Sequence, residues 1–107
     1  LQAARKIFIK SRTIFLKSHT FADELRKQRE FRTFGLEVTH LENEADITIE
    51  LDRPPWTFIY QYTVIGTKSS VLLMKDKVTA FDGSVAAPKI VKAIFKRIAK
   101  ARGLSAD

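Results

Sequence analysis

Two histidines, His19 and His40, are the side chains of this sequence best suited to acid–base or metal chemistry near neutral pH. Neither lies in an H-x-x-x-H or H-E-x-x-H motif, so a metal site would need carboxylates brought to them by the fold. Cysteine is absent, which excludes a thiol nucleophile, a thiolate metal site and a disulfide framework. The chain also lacks G-x-S-x-G, a Walker loop and G-x-G-x-x-G. The sequence therefore predicts no catalytic residue, no metal site and no cofactor, and it favours a non-enzymatic protein.

Charge is the second feature that could carry a function, because the chain has a formal net charge of +7. Both ends of the sequence are basic and the middle is acidic, so the fold can neutralise part of this charge internally. The last predicted helix carries Lys92, Lys96 and Lys100 opposite its apolar stripe. These lysines could bind phosphates of a nucleic acid or an anionic membrane surface, or they could form a solvated helix face.

The elements that must position these residues are predicted from hydrophobic periodicity. Two amphipathic helices are expected, one over residues 20–31 with Thr20 as its N-cap and one over residues 88–102 with Pro88 in its first turn. Strands are expected at Lys6–Lys10, Gly35–His40, Asp46–Asp52, Trp56–Ile65 and Val71–Phe81. This order predicts an α+β fold: a single mixed or antiparallel sheet of about five strands, with two helices packed on one face.

The strand "DITIELD" alternates strictly, which indicates that one face is buried and the other is wet. Thr48, Glu50 and Asp52 fall on the predicted wet face and are candidates for a binding surface.

The next strand has an aromatic row in which every second residue shares one face. Its members are Trp56, Phe58, Tyr60, Tyr62 and Val64. Such rings either fill a core or form an exposed platform for a ligand, a nucleic acid or a partner chain. Burial under the helices is the preferred interpretation. Trp56, which follows two prolines, is the member expected to stay partly exposed and to contribute to binding.

A chain of 107 residues suits one domain, and no apolar run approaches the roughly 18–20 residues that span a bilayer. The sequence begins with Leu1 rather than methionine, which is compatible with removal of a signal peptide or with a trimmed chain.

Three stretches give the sequence a family resemblance: "GLEVTHLENEADITIELDRP", "GTKSSVLLMKDKVTAF" and "AAPKIVKAIFKRI". With the preceding strand and helix, they resemble small secreted or periplasmic proteins of the bacterial cell envelope. In layout the chain is also distantly similar to the amino-terminal domain of TolB and to α+β outer-membrane lipoproteins. The resemblance implies a periplasmic or secreted domain that binds a protein or an envelope component. It carries over no catalytic residue.

Two hypotheses for a partner follow. The first is a protein partner or a homodimer, bound through the uncovered sheet face or by pairing at an edge strand. The alternative is a nucleic acid bound by the basic C-terminal helix.

Overall fold

A computed structural model describes residues 4–103 and confirms an α+β fold with one five-stranded mixed sheet. The strands are β1 (Lys6–Ser11), β2 (Glu37–Val38), β3 (Ile47–Asp52), β4 (Ile59–Gly66) and β5 (Leu72–Thr79). The helices are α1 (Ser18–Lys27), α2 (Arg29–Thr33) and α3 (Gly83–Ala101), and one 3₁₀ turn spans Glu42–Glu44. None of the helices within residues 4–103 combines the length and the hydrophobicity that a bilayer-spanning segment requires.

The order of strands across the sheet is β2-β1-β3-β4-β5. Strand β1 runs parallel to both of its neighbours, with Ile7 opposite Val38 on one side and Ile47 on the other. Strands β3, β4 and β5 form an antiparallel meander. The loops that follow β1 and β3 therefore leave the sheet at the same end.

The core lies between one face of the sheet and the helices α1 and α3. Alternate residues of β1, β3 and β4 are buried there: Ile7, Ile9, Ile47, Ile49, Leu51, Tyr60, Tyr62 and Val64. The helices contribute their buried apolar residues: Phe21, Ala22 and Leu25 from α1, and Ala86, Ala87, Ile90, Val91, Ile94, Phe95 and Ile98 from α3. Helices α1 and α3 pack against each other over this face, and within residues 4–103 the opposite face of the sheet has no helix layer.

The first helical region differs from the prediction of a single helix over residues 20–31. Helix α1 begins at Ser18, and Lys17 occupies the N-cap without a side-chain hydrogen bond. Gln28 then takes an extended conformation that separates α1 from α2.

The C-terminal helix begins five residues before Pro88, which becomes its sixth residue rather than a member of the first turn. The reason is a side-chain cap at Asp82, whose Oδ1 accepts the backbone N–H of Val85 at 3.1 Å. The side-chain hydroxyl of Ser84 also donates to Asp82 Oδ1, at 2.6 Å. The segment "DGS" is thus both the turn that ends the sheet and the start of α3.

The other end of α3 is fastened by Arg102, so this cation is not free to bind phosphate. Its guanidinium donates to the backbone carbonyls of Phe34 and Ala4, each at 2.7 Å. The guanidinium carbon also lies 5.3 Å from the centre of the Phe34 ring. These contacts join three segments that are far apart in the sequence.

Candidate binding surface at the aromatic end

Three loops meet at one end of the sheet and bring exposed apolar side chains together. They are the β1–α1 loop (residues 12–17), the β3–β4 loop (residues 53–58) and the β5–α3 loop (residues 80–82). We call the exposed residues of this surface the aromatic end and define it as Ile14, Phe15, Trp56, Phe58 and Phe81.

Direct contacts hold the three loops against each other. The Arg53 guanidinium carbon lies 4.1 Å from the centre of the Phe15 ring, which joins the first loop to the second. The rings of Phe58 and Phe81 have their centres 5.7 Å apart, and the backbone N–H of Ala80 donates to the Phe58 carbonyl at 2.9 Å. These contacts join the second loop to the third.

The start of α3 also touches the first loop through Gly83. A side chain here would collide with the Phe15 carbonyl oxygen and would lie 3.4 Å from the Leu16 Cα. The absence of a side chain at Gly83 thus lets the β1–α1 loop lie directly on the helix.

Exposure of large apolar side chains is concentrated at this end. Trp56 is fully exposed at 102%, Phe81 is exposed at 83% and Ile14 at 81%, while Phe15 and Phe58 are each more than half exposed. Counting Val85 in the first turn of α3, this end holds six of the nine large apolar residues exposed within the described part of the chain. Clustering of exposed large apolar side chains at one end of a small domain is typical of an interaction site.

Contacts of the Arg53 side chain stabilise the conformation of the β3–β4 loop. Its Nε donates to the Thr57 carbonyl at 2.7 Å, and its guanidinium carbon lies 5.5 Å from the ring centres of both Phe58 and Tyr60. The Thr57 hydroxyl donates back to the Pro54 carbonyl at 2.8 Å. The loop is therefore a closed, hydrogen-bonded turn.

Within this turn Trp56 has a φ of +62°, a value that bulky residues rarely adopt. Pro54 and Pro55, immediately before it, have restricted φ angles and reduce the freedom of the loop. Residues held in such conformations occur preferentially at functional sites. Beside the indole, Phe15, Arg53 and the two prolines line a shallow apolar groove.

The aromatic row of β4 divides between core and surface. Tyr60, Tyr62 and Val64 are buried under the helices, as the sequence predicts. The prediction that Phe58 is buried is wrong, because β4 begins only at Ile59 and Phe58 belongs to the preceding loop. Since the two tyrosine rings are covered, they cannot stack on the bases of a nucleic acid.

The predicted wet face of β3 is only partly a surface. Asp52 is exposed, and Glu50 is half-buried with an oxygen 3.6 Å from Arg12. The prediction that Thr48 is a surface residue is wrong, because Thr48 is 4% exposed and its hydroxyl oxygen lies 2.9 Å from that of Thr67. Its direct cross-strand neighbours are Phe8 and Ile65, and side chains at such positions cover each other.

The lysines of α3 form a separate region. Lys92, Lys96 and Lys100 are all exposed, and the first two line a groove that also includes Glu30 and Phe95. They lie on the outer side of the helix layer, whereas Glu50 and Asp52 lie on the opposite side of the sheet. The structure therefore does not assemble the predicted residues into one site.

His19 and His40 are exposed and line one cavity between α1 and β2. Arg26 and Val38 line the same cavity, and no carboxylate does. Across residues 4–103, no group of three or more His, Cys, Asp or Glu side chains is arranged to hold a metal ion.

The groups with shifted pKa values lie in structural positions. Backbone N–H groups of Lys6 and Arg5 hold the pKa of Asp46 below its usual value. The Ser84 hydroxyl and the Val85 N–H likewise lower the pKa of the Asp82 cap. Burial raises the pKa of Tyr62, and the nearby charge of Asp76 adds to the effect. None of these groups forms an acid–base pair with a histidine.

Four residues of this surface escaped the sequence analysis: Ile14, Phe15, Arg53 and Phe81. Ile14 and Phe15 look like a continuation of the first strand, and Phe81 looks like the end of β5. The available signal was that Ile14, Phe15 and Phe81 lie beside polar or turn-forming residues, as in "SRTIF" and "FDGS".

Comparison with known proteins gives no family for this chain. No family model and no curated protein matches it. Among solved structures, it is similar to a dodecamer of a PelC point variant from Paraburkholderia phytofirmans. That similarity has 10% sequence identity and a TM-score of 0.42, and it covers 100% of this chain and 92% of the PelC chain. A similarity this distant assigns no function.

Proposed function

We propose that this chain is a non-enzymatic, periplasmic or secreted domain of the bacterial cell envelope. In this proposal it binds a partner protein or another envelope component through its aromatic end. The resemblance of its sequence to small envelope proteins supports the location. The observation that carries the binding function is the meeting of three loops that expose Ile14, Phe15, Trp56, Phe58 and Phe81 at one end of the sheet.

Energetics support a role in binding for these side chains. Leaving a large apolar side chain in water forfeits about 1.5–3 kcal/mol relative to burying it. The side chains left in water contribute nothing to a free energy of folding that is only about 5–15 kcal/mol in total. A binding event would recover part of this energy, and Trp and Arg are enriched among the residues that dominate binding interfaces.

The alternative surfaces of the first hypothesis have weaker support. The uncovered sheet face is largely occupied by its own cross-strand contacts, such as the burial of Thr48. The edge strand β5 carries Lys75, Asp76 and Lys77 in its centre, and such charges discourage pairing with another strand. A strictly monomeric mass in light scattering at high concentration would remove the homodimer version.

Site-specific photocrosslinking tests the proposal. A photoreactive phenylalanine analogue replaces Trp56 or Phe81 in the full chain, which is then irradiated with isolated bacterial envelopes or with cytosolic extract. The matched control carries the analogue at Leu72, which is exposed but lies at the start of β5, away from this surface.

We expect adducts at positions 56 and 81 with envelopes and few at position 72. Equal labelling at all three positions, or labelling only in cytosolic extract, would refute the proposal.

A nucleic-acid-binding role is the second candidate, and it rests on α3. Lys92, Lys96 and Lys100 follow each other at four-residue spacing, and α3 contains no Asp or Glu. Within residues 4–103, none of the three lysines forms an ion pair. Fluorescence anisotropy with a generic DNA duplex at increasing salt tests this role. Binding that falls steeply with salt and disappears in the triple Lys→Glu variant would support it, whereas no binding at low salt would end it.

A further inference from the structure

We infer that the envelope component bound by the aromatic end is the interfacial layer of an anionic lipid bilayer, an inference that rests on the proposed function. The domain would attach to this layer peripherally, with the tips of its loops inserted among the headgroups. Three observations favour a bilayer over a protein partner.

The first observation is the shape of the surface. The most exposed residues, Trp56, Phe81 and Ile14, sit on three different loops and project into solvent. The groove beside Trp56 is shallow, with only five lining residues. A protein partner would need a complementary cavity for each projecting side chain to reach the close packing typical of interfaces. A fluid interfacial layer accepts separate projections without such complementarity.

The second observation is the type of residue. Aromatic side chains, Trp above all, are enriched where a protein meets the boundary between headgroups and hydrocarbon. Segments that lie in this boundary bury Trp, Phe or Leu and keep basic residues beside them. Four of the five residues of the aromatic end are Trp or Phe.

The third observation is the charge around the tips. The segments that enter and leave the three loops, residues 10–17, 52–58 and 79–89, hold five cations against two carboxylates. The cations are Lys10, Arg12, Lys17, Arg53 and Lys89, and the carboxylates are Asp52 and Asp82. Glu50 on the neighbouring sheet face lies 3.6 Å from Arg12 and adds a third carboxylate, so two positive charges remain in excess. The excess of cations, together with the overall charge of +7, is complementary to anionic headgroups.

Trp56 provides a direct test, because it is the only tryptophan of the chain and is fully exposed. The full chain is titrated with vesicles of phosphatidylcholine alone and of phosphatidylcholine with phosphatidylglycerol. We expect a blue shift of the emission of Trp56, and quenching by brominated acyl chains, with the anionic vesicles. Cosedimentation measures the partition coefficient in parallel.

Variants locate the contact. Phe81→Ala and Trp56→Ala are expected to lower the partition coefficient at least tenfold when combined, with circular dichroism unchanged. Phe81→Ala alone keeps Trp56 as a reporter. Leu72→Ala, at the other end of the sheet, should leave partitioning unchanged. Lys92→Glu with Lys96→Glu should change it by less than threefold, because these lysines lie two to four turns along α3 from the aromatic end.

The alternative occupants give different results, each of which overturns the inference. Partitioning that survives the aromatic substitutions and disappears in the lysine variant would place the contact on α3. A concentration-dependent blue shift without lipid would identify a second copy of the chain as the occupant. Crosslinks from position 56 to an envelope protein, without any binding to anionic vesicles, would leave the proposed function standing and refute the bilayer. If neither crosslinks nor vesicle binding occurred, both would fail.

Discussion

Removing the guanidinium of Arg53 should loosen the aromatic end and lower the stability of the whole domain. In Arg53→Ala the charged hydrogen bond from Nε to the Thr57 carbonyl is lost, along with the contact to the Phe15 ring at 4.1 Å. A hydrogen bond from a charged group contributes about 1.5–3 kcal/mol, and the half-buried position of Arg53 favours the lower value. The Phe15 contact adds about 0.5–1 kcal/mol.

Two smaller effects complete the estimate. The rings of Phe58 and Tyr60, at 5.5 Å, lie near the limit of about 6 Å for cation–π attraction and add about 0.5 kcal/mol together. Ordering the long Arg53 side chain costs about 1 kcal/mol, which the alanine variant no longer incurs. The net loss of unfolding free energy is therefore about 2 kcal/mol. With a urea m-value of about 1.5–2 kcal/mol/M, the midpoint should fall by about 1 M.

Urea denaturation followed by circular dichroism measures the global loss, and the time-resolved fluorescence anisotropy of Trp56 measures the local one. We expect faster local motion of the indole in Arg53→Ala than in the parent chain. Arg53→Lys should lie between the two, because lysine keeps the charge but lacks the planar group that contacts the rings and the carbonyl together.

The control is Arg97→Ala on the exposed side of α3. Within residues 4–103, the Arg97 side chain makes no hydrogen bond or ion pair, so its removal should change stability by less than about 0.5 kcal/mol. Equal midpoints for the Arg53 and Arg97 variants would refute the reasoning, as would unchanged motion of Trp56 in Arg53→Ala.

Three further substitutions test other parts of the fold. Gly83→Ala should lower stability by about 1–3 kcal/mol in urea denaturation, because the clash with the Phe15 carbonyl outweighs the better helix propensity of alanine, and a more stable variant would contradict this. Tyr60→Phe should leave the thermal midpoint unchanged or raise it, because the buried hydroxyl has no hydrogen-bond partner among residues 4–103, whereas a loss above about 1 kcal/mol would reveal a partner. Asp46→Asn should lower the thermal midpoint at neutral pH. Because the pKa of Asp46 is lowered in the fold from 3.8, its contribution is present above that value and disappears as the pH falls through the lowered pKa, so a difference that persisted in strong acid would be the contrary result.

Periodicity in the sequence was sufficient to predict the layers of the fold. The alternation of Ile47, Ile49 and Leu51 identified the core face of β3, and the stripe from Ile90 to Ile98 identified the buried side of α3. Both patterns arise because one face of a single strand or helix is buried. They require that a core is present, but they do not depend on which elements pack against that face.

The aromatic end could not be predicted in the same way, because it depends on how distant segments are placed. Phe15, Arg53 and Phe81 come together only because β1 lies parallel to β3 and α3 starts beside both of their loops. Alternation within one strand also does not reveal where the strand begins, which is why Phe58 was assigned to the core. For Thr48, alternation gave the correct face of the sheet, but its burial depends on the side chains of neighbouring strands.

The position of β1 between β2 and β3 has a consequence for how the protein is made. Residues 6–11 leave the ribosome well before β3, yet Ile7 pairs with Ile47, forty residues later in the chain. The edge of β1 that faces β3 must therefore remain unpaired while the intervening segment is synthesised. Pairing across such a separation carries a loop-closure cost and slows folding. During this interval, nascent "KIFIKS" is an apolar segment without its β3 partner, and we expect it to be a part of the chain that molecular chaperones bind.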